Sequence, residues 1–175
     1  MGSDEYTPLK TFIQKHALAY QANSLAQTYG IFEAGGTKVQ AYITVTCGEV
    51  QIEEDVPVEH PQPVRYDYHF YPAMKIARLA VPTSARGSGA GRQLVEFALG
   101  IAKELICPHV GCRFVVVDSK KSSVNFYKKC GFTMLDTPSN REREHPVMFI
   151  DLSKIPRNAA DEDGEIWRGL AKDCT

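Results

Sequence analysis

The segment Arg86-Gly87-Ser88-Gly89-Ala90-Gly91 constrains the fold more than any other part of this chain of 175 residues. It follows an apolar run, Ile76-Ala77-Arg78-Leu79-Ala80-Val81, that ends at Pro82. After it, Leu94, Ala98, Ile101 and Leu105 recur at helical spacing, which predicts a helix from Gly91 to about Ile106. A strand, a glycine loop and a helix start in that order can cradle an anion. Glycine lets backbone N–H groups turn inward, and the helix adds unpaired N–H groups and the positive end of its dipole. Arg86 and Arg92 add charge. The spacing is not the dinucleotide-binding G-x-G-x-x-G, and no Gly-Lys-Ser/Thr follows. Taken alone, the loop is also compatible with a glycine-rich surface turn.

The remaining elements alternate in type. Thr7-Pro8 opens a predicted helix to about Gln27, with Leu9, Phe12, Ile13, Ala17 and Tyr20 at helical spacing. Tyr29–Phe32 and Lys38–Thr46 flank Gly35-Gly36 and read as a hairpin. Residues 53–65 are acidic and carry three prolines, which predicts a loop. Tyr66–Tyr71 and Met74–Val81 read as two strands, and Arg113–Val117 as a buried one. A short helix then ends at Gly131, and Pro146–Leu152 reads as the last strand. Strand alternation places Ile76, Arg78 and Ala80 on one face.

A second motif lies downstream, Ser123-Val124-Asn125-Phe126-Tyr127-Lys128-Lys129-Cys130-Gly131-Phe132. The loop at Arg86–Gly91 resembles the Arg/Gln-x-x-Gly-x-Gly/Ala signature of the GNAT superfamily of N-acetyltransferases. Phe126-Tyr127-x-x-x-Gly131-Phe132 resembles that superfamily's downstream signature, in the same order. The resemblance covers roughly residues 28–152. At the positions six and three residues before Phe126, where many members have Asn and Ala, this chain has Lys120 and Ser123.

The resemblance implies an α+β GNAT fold: a mixed, mostly antiparallel sheet with a splayed parallel strand pair, flanked by helices. It implies a domain over 1–155 and leaves 156–175 as a polar tail. It implies acetyl-CoA as acetyl donor. Pantetheine would pair with Leu79, Ala80 and Val81, and the phosphates would sit on Gly87, Ser88, Gly89, Ala90, Gly91 and Arg92, beside Arg86. Ser123 and Phe126 would line the donor. Tyr127 would protonate the departing thiolate. The chemistry fits, because a thiolate of pKa about 8.5 leaves more easily when a phenol of pKa about 10 donates to it. Tyr127 as a packed core aromatic is the alternative reading.

Within the superfamily, Ala77–Val81 with Phe126-Tyr127 and Gln40-Ala41-Tyr42-Ile43-Thr44 resembles the toxins of toxin–antitoxin modules, which acetylate the α-amino group of aminoacyl-tRNA. That implies aminoacyl-tRNA and a small DNA-binding antitoxin as partners, with a homodimer as a further assembly. The charge pattern suits it. Residues 74–130 hold ten Lys/Arg and three Asp/Glu, although the whole chain carries −1. Arg78 is the expected substrate contact. No general base stands out: Glu96 and Glu104 are expected to face solvent. An α-amino group, with a pKa of about 7.7–8.0, needs a base less than a lysine does. Acetylation of a small amine or a protein amine, and a non-catalytic acyl-CoA-binding module, are the alternatives.

The five cysteines are odd in number and spread out, which reads as reduced thiols in a cytoplasmic protein. Cys107, His109 and Cys112 lack a fourth ligand, so no metal is expected. No apolar run reaches the roughly 18 residues of a membrane span, and Met1–Tyr6 has no secretory pattern.

Overall fold

The computed structural model describes residues 7–33, 35–52 and 58–155. The polar tail expected at 156–175 and the first part of the acidic loop therefore lie outside the described residues. Among the described residues six strands form one sheet: β1 (Gln27–Phe32), β2 (Val39–Gln51), β3 (Phe70–Ala80), β4 (Phe114–Asp118), β5 (Thr133–Met134) and β6 (Val147–Asp151). Their order is β1-β2-β3-β4-β6-β5. Only β3 and β4 pair in parallel; the other neighbours are antiparallel. The helices are α1 (Thr7–Lys15), α2 (Ala17–Ala22), α3 (Ala90–Gly100), α4 (Val124–Lys129) and α5 (Pro138–Glu142). This is the α+β architecture that the motifs imply.

The sheet has two differently covered faces. On one, Ile43, Val45, Met74, Ile76, Val115 and Val117 pack with Leu94, Val95 and Ala98 of α3 and Tyr127 of α4. On the other, Val50, Ala73, Phe114 and Val116 form a smaller cluster. Beside it Phe12 and Ala17 pack on Tyr42 and Ala80. The Tyr42 hydroxyl donates to the Leu9 carbonyl at 2.7 Å and fixes α1. Burial raises the Tyr42 phenol to about 12, against the opposing pull of the Arg78 cation.

Several expectations are corrected. The N-terminal helix is two helices broken at His16, and it stops at Ala22, not Gln27. There Ser24 adopts φ +55 and turns the chain toward β1. In place of the two strands expected at 66–71 and 74–81 there is one, β3, and residues 66–69 stay outside it. Pro72 does not interrupt it, because β4 pairing starts only at Ala73↔Phe114. On that side the Pro72 carbonyl still accepts from the Arg113 N–H. Ile76 and Arg78 do not share a face. Thr44 pairs with Arg78 and Val45 with Ile76, so Ala77 is an extra residue, a β-bulge that reverses the alternation.

The helix after the glycine loop does reach Ile106, but Ile101–Ile106 is a π-turn. The wider turn buries Ala102 and leaves Leu105 43% exposed, off the expected stripe. α5 and β5, from a stretch with weak hydrophobic periodicity, were not anticipated. α5 is capped by the Thr137 hydroxyl, which accepts from the Asn140 N–H at 3.2 Å. Asn140 in turn ties Leu135 to Val147 through three side-chain hydrogen bonds.

Candidate active site

The parallel pair is short. It runs from Ala73↔Phe114 to Ile76↔Val117 and stops. Beyond it β3 continues to Ala80, paired only with β2, while Asp118 pairs with Val147 of β6. The two strands thus part just after the bulge, as expected for 74–81 and 113–117. The β4-facing backbone edge of Leu79 and Ala80 opens onto that gap.

The glycine loop hangs from the end of β3. A single 3-10 turn, Thr83–Ala85, leads into it. Gly87 and Gly89 take φ +84 and +88, a region costly for any L side chain, and an added Cβ at either meets nothing within 4 Å. Gly89 is the N-cap of α3 and has no side chain to cap it; the Ala90 N–H makes a long bond to Ser88 Oγ, 3.4 Å. A helix start capped this weakly can turn its N–H groups to an anion. Ser88 braces the loop, its hydroxyl donating to the Ala85 carbonyl at 2.7 Å. Arg92 is exposed and pairs with Glu96 at 2.7 Å. Such an exposed pair contributes little, so an anion at this helix start would displace Glu96 at small cost.

Gly91 has a different reason to be glycine. A Cβ there would lie 3.2 Å from the Phe126 ring and 3.3 Å from Val81 Cγ2. The end of β3, the start of α3 and the middle of α4 therefore meet at one point. The two sequence motifs, some 35 residues apart in the chain, form one wall. Ser123 is the N-cap of α4. A paired cap ends it: the Phe132 N–H donates to the Tyr127 carbonyl and the Gly131 N–H to the Lys128 carbonyl, with Gly131 at φ +92.

Tyr127 is only 6% exposed. Its ring meets Phe126 and Phe132 edge-on at 5.1 and 5.4 Å. Burial, and secondarily the Cys130 thiol, pushes its phenol far above the usual range. The group is held as a neutral donor, not as a base. Burial likewise raises the Cys130 thiol, so it is a poor nucleophile.

The opposite face of the gap is polar. The Arg78 guanidinium lies 3.8 Å over the Phe12 ring and also faces Tyr20. Arg78 thus ties α1 and α2 to β3 besides offering a charge. Below it, Lys75 Nζ bridges from β3 to Asp118 Oδ2 at 2.6 Å, across the last rungs of the parallel pair. The sequence reading missed this ion pair. Its only signal was a carboxylate directly after a buried strand. Glu96 is exposed, as expected, while Glu104 is partly buried. Cys107 donates to the Cys112 carbonyl, and among the described residues no three metal-ligating side chains cluster.

A family model described as the acetyltransferase (GNAT) family matches residues 56–132, the stretch that contains β3, the glycine loop, α3, β4 and α4. No curated protein matches the chain. Among solved structures, one described as a bacterial toxin aligns with TM-score 0.69 at 17% identity, over 84% of this chain and 79% of the other. AtaT complexed with acetyl-methionyl-tRNAfMet aligns with TM-score 0.68 at 20% identity, over 87% and 84%. A Tyr-to-Phe variant of KacT aligns with TM-score 0.68 at 20% identity, over 83% and 82%. At these identities the structural likeness speaks for the fold. No described helix is long and apolar enough to cross a membrane. The fold, the match of residues 56–132 to the acetyltransferase (GNAT) family model, and the convergence of both motifs on that gap make this chain similar to acetyltransferases of the GNAT family.

Proposed function

We propose that this protein transfers an acetyl group from acetyl-CoA to the α-amino group of aminoacyl-tRNA, and so acts as a translation-blocking toxin. The carrying observation is the meeting of Val81, Gly91 and Phe126 at the mouth of the splayed strands, with Tyr127 beside them. In this reading the domain spans 1–155.

The donor fits the residues present. The start of α3 and the amides from Gly87 to Arg92 hold its phosphates, with Arg86 adding charge. Leu79, Ala80 and Val81 offer the free strand edge to the pantetheine amides. Phe126 and Ser123 line the far side. Acetyl-CoA supplies an activated acyl group. The acceptor nitrogen adds to the acyl carbon, and Tyr127 donates its phenolic proton to sulfur as the C–S bond breaks. Burial keeps the phenol in its neutral, proton-bearing form, the form that can donate to sulfur.

The acceptor class is supported by three observations. AtaT, which shares the fold, has been solved with acetyl-methionyl-tRNAfMet, and AtaT is also known in complex with the C-terminus of the antitoxin AtaR. The basic segment 74–130 suits a phosphate backbone. The acetyl-accepting face carries Arg78. A small DNA-binding antitoxin and a homodimeric state belong to the same reading, as does a cytoplasmic site of action.

Mass spectrometry of total charged tRNA after incubation with acetyl-CoA and the protein tests it. N-acetylaminoacyl-tRNA is the expected product, and its absence, with acetylation of a small amine or a protein instead, sinks the reading. Arg78→Met probes the charge while keeping the stem over Phe12. It should weaken tRNA binding and flatten the salt dependence by about one counterion, with acetyl-CoA affinity unchanged. Salt-independent RNA binding by the unaltered protein would contradict a phosphate-backbone contact.

A further inference from the structure

Alternation puts Lys75 and Asp118 on the sheet face opposite α3 and α4. Their neighbours Met74, Ile76 and Val117 all point into the α3 side. On that opposite face lies a cavity of about 290 Å³. Lys75 and Asp118 line it together with Val116, Thr137, Asn140 and Arg143. Asp118, which lines it, directly follows Val117 of the last parallel rung, and Glu49, Val50 and Gln51 of β2 close its other side. Its floor is rigid: Thr137 and Asn140 are 1% and 2% exposed, and each is locked by hydrogen bonds to its own element or to β6. Its volume suits an amino-acid residue and is far too small for a folded partner.

We propose that this cavity receives the aminoacyl end of the acceptor, and that Asp118 holds the α-ammonium and takes its first proton. The inference rests on the substrate class proposed above. Donor phosphates at the loop and Tyr127 occupy the α3 and α4 side, so an amine must approach the acyl carbon from the other side. There the carboxylate next to the last parallel rung is Asp118; Glu49, which also lines the cavity, sits on β2 opposite Pro72, farther from the gap. Lys75, at 2.6 Å, fixes its orientation. Arg143, which also lines the cavity, supplies positive charge toward the tRNA phosphates.

The protons balance. The ammonium gives one proton to the Asp118 carboxylate, which passes it to water. The freed lone pair forms the C–N bond. As the C–S bond breaks, the Tyr127 phenol protonates sulfur, and the second proton leaving nitrogen restores the phenol. The products are an amide, a thiol and one released proton. Asp118 also accounts for the general base that neither Glu96 nor Glu104 provides.

The test uses the whole chain with charged tRNA as acceptor. Asp118→Asn should raise the KM for charged tRNA roughly tenfold or more, as expected for a lost charge-assisted contact. The rising limb of the pH profile should move to higher pH, and the dissociation constant of acetyl-CoA should stay as in the unaltered protein. Lys75→Met should give a smaller change of the same kind, and Asp118→Glu should recover part of the loss. Should Asp118→Asn fail to fold, as judged by thermal melting, Lys75→Met and Asp118→Glu carry the test. An Asp118→Asn enzyme, or in its place a Lys75→Met enzyme, with unchanged acceptor KM and pH profile overturns the assignment while leaving the function intact. Failure of the unaltered protein to acetylate any charged tRNA overturns both.

Discussion

Tyr127→Phe should slow single-turnover acetyl transfer by roughly 10²–10⁴-fold, the usual range for a lost general acid. The ring stays between Phe126 and Phe132, so packing changes little and no cavity forms. Acetyl-CoA should still bind, because the loop amides and the β3 edge do not involve the hydroxyl. In cells the change should abolish toxicity. The pH profile provides a second reading. Burial raises the Tyr127 pKa, so its protonated form persists well above the ordinary value of about 10. The unaltered enzyme should therefore show a limb that rises as the amine loses its proton, and no fall from Tyr127 below about pH 10. A Tyr127→Phe protein that folds and transfers acetyl near the unaltered rate would return Tyr127 to the role of a packed aromatic, with water protonating sulfur.

Gly89→Glu should collapse acetyl-CoA affinity by two independent routes. The backbone at φ +88 disfavours any L side chain, by roughly 1–2 kcal/mol. The loop must then shift, and the amides at the start of α3 lose their aim. The carboxylate also stands where an anion is to bind, ahead of the first turn of a helix whose N-cap is a glycine. Global stability should fall by no more than the local strain, because an added Cβ at this position meets open space. Gly89→Ala separates the two effects, keeping the strain without the charge, and should fall between the parent and the glutamate variant. Isothermal calorimetry with thermal melting decides it. Parental affinity in a folded Gly89→Glu protein would remove the phosphates from this loop.

The parts of the fold that the sequence disclosed were those with a local chemical signature. Gly87 and Gly89 appear because only glycine tolerates that backbone. Gly131 appears because a helix stop needs a left-handed residue. The hairpin around Gly35-Gly36, the buried run at 113–117 and the order of the two motifs were legible for similar reasons. What escaped depended on partners distant in sequence. The bulge at Ala77 is visible only when β3 is laid against β2. Pro72 reads as a breaker until β4 is seen to begin one residue later. The Lys75–Asp118 pair joins residues 43 positions apart. Gly91 was read as part of the phosphate loop, yet its lack of a Cβ is demanded by Phe126, a contact across two helices.

The extra residue at Ala77 gives one continuous strand two different allegiances. Up to Ile76, β3 serves the interior beneath α3. From Arg78 onward it is rotated half a turn, so that Arg78 and Ala80 serve the N-terminal helices instead. Deleting that single alanine would make Val45↔Ile76 and Thr44↔Arg78 consecutive pairs, and would leave Arg78, Leu79 and Ala80 on the faces they now serve. Drawing Ala77 into the pairing instead, opposite Thr44, would shift every later residue by one. Arg78 would then be driven beneath α3, and Leu79 would be pushed against Phe12. The alanine is thus a residue the sheet must leave out of its count, and substitutions that keep it unpaired are cheap there.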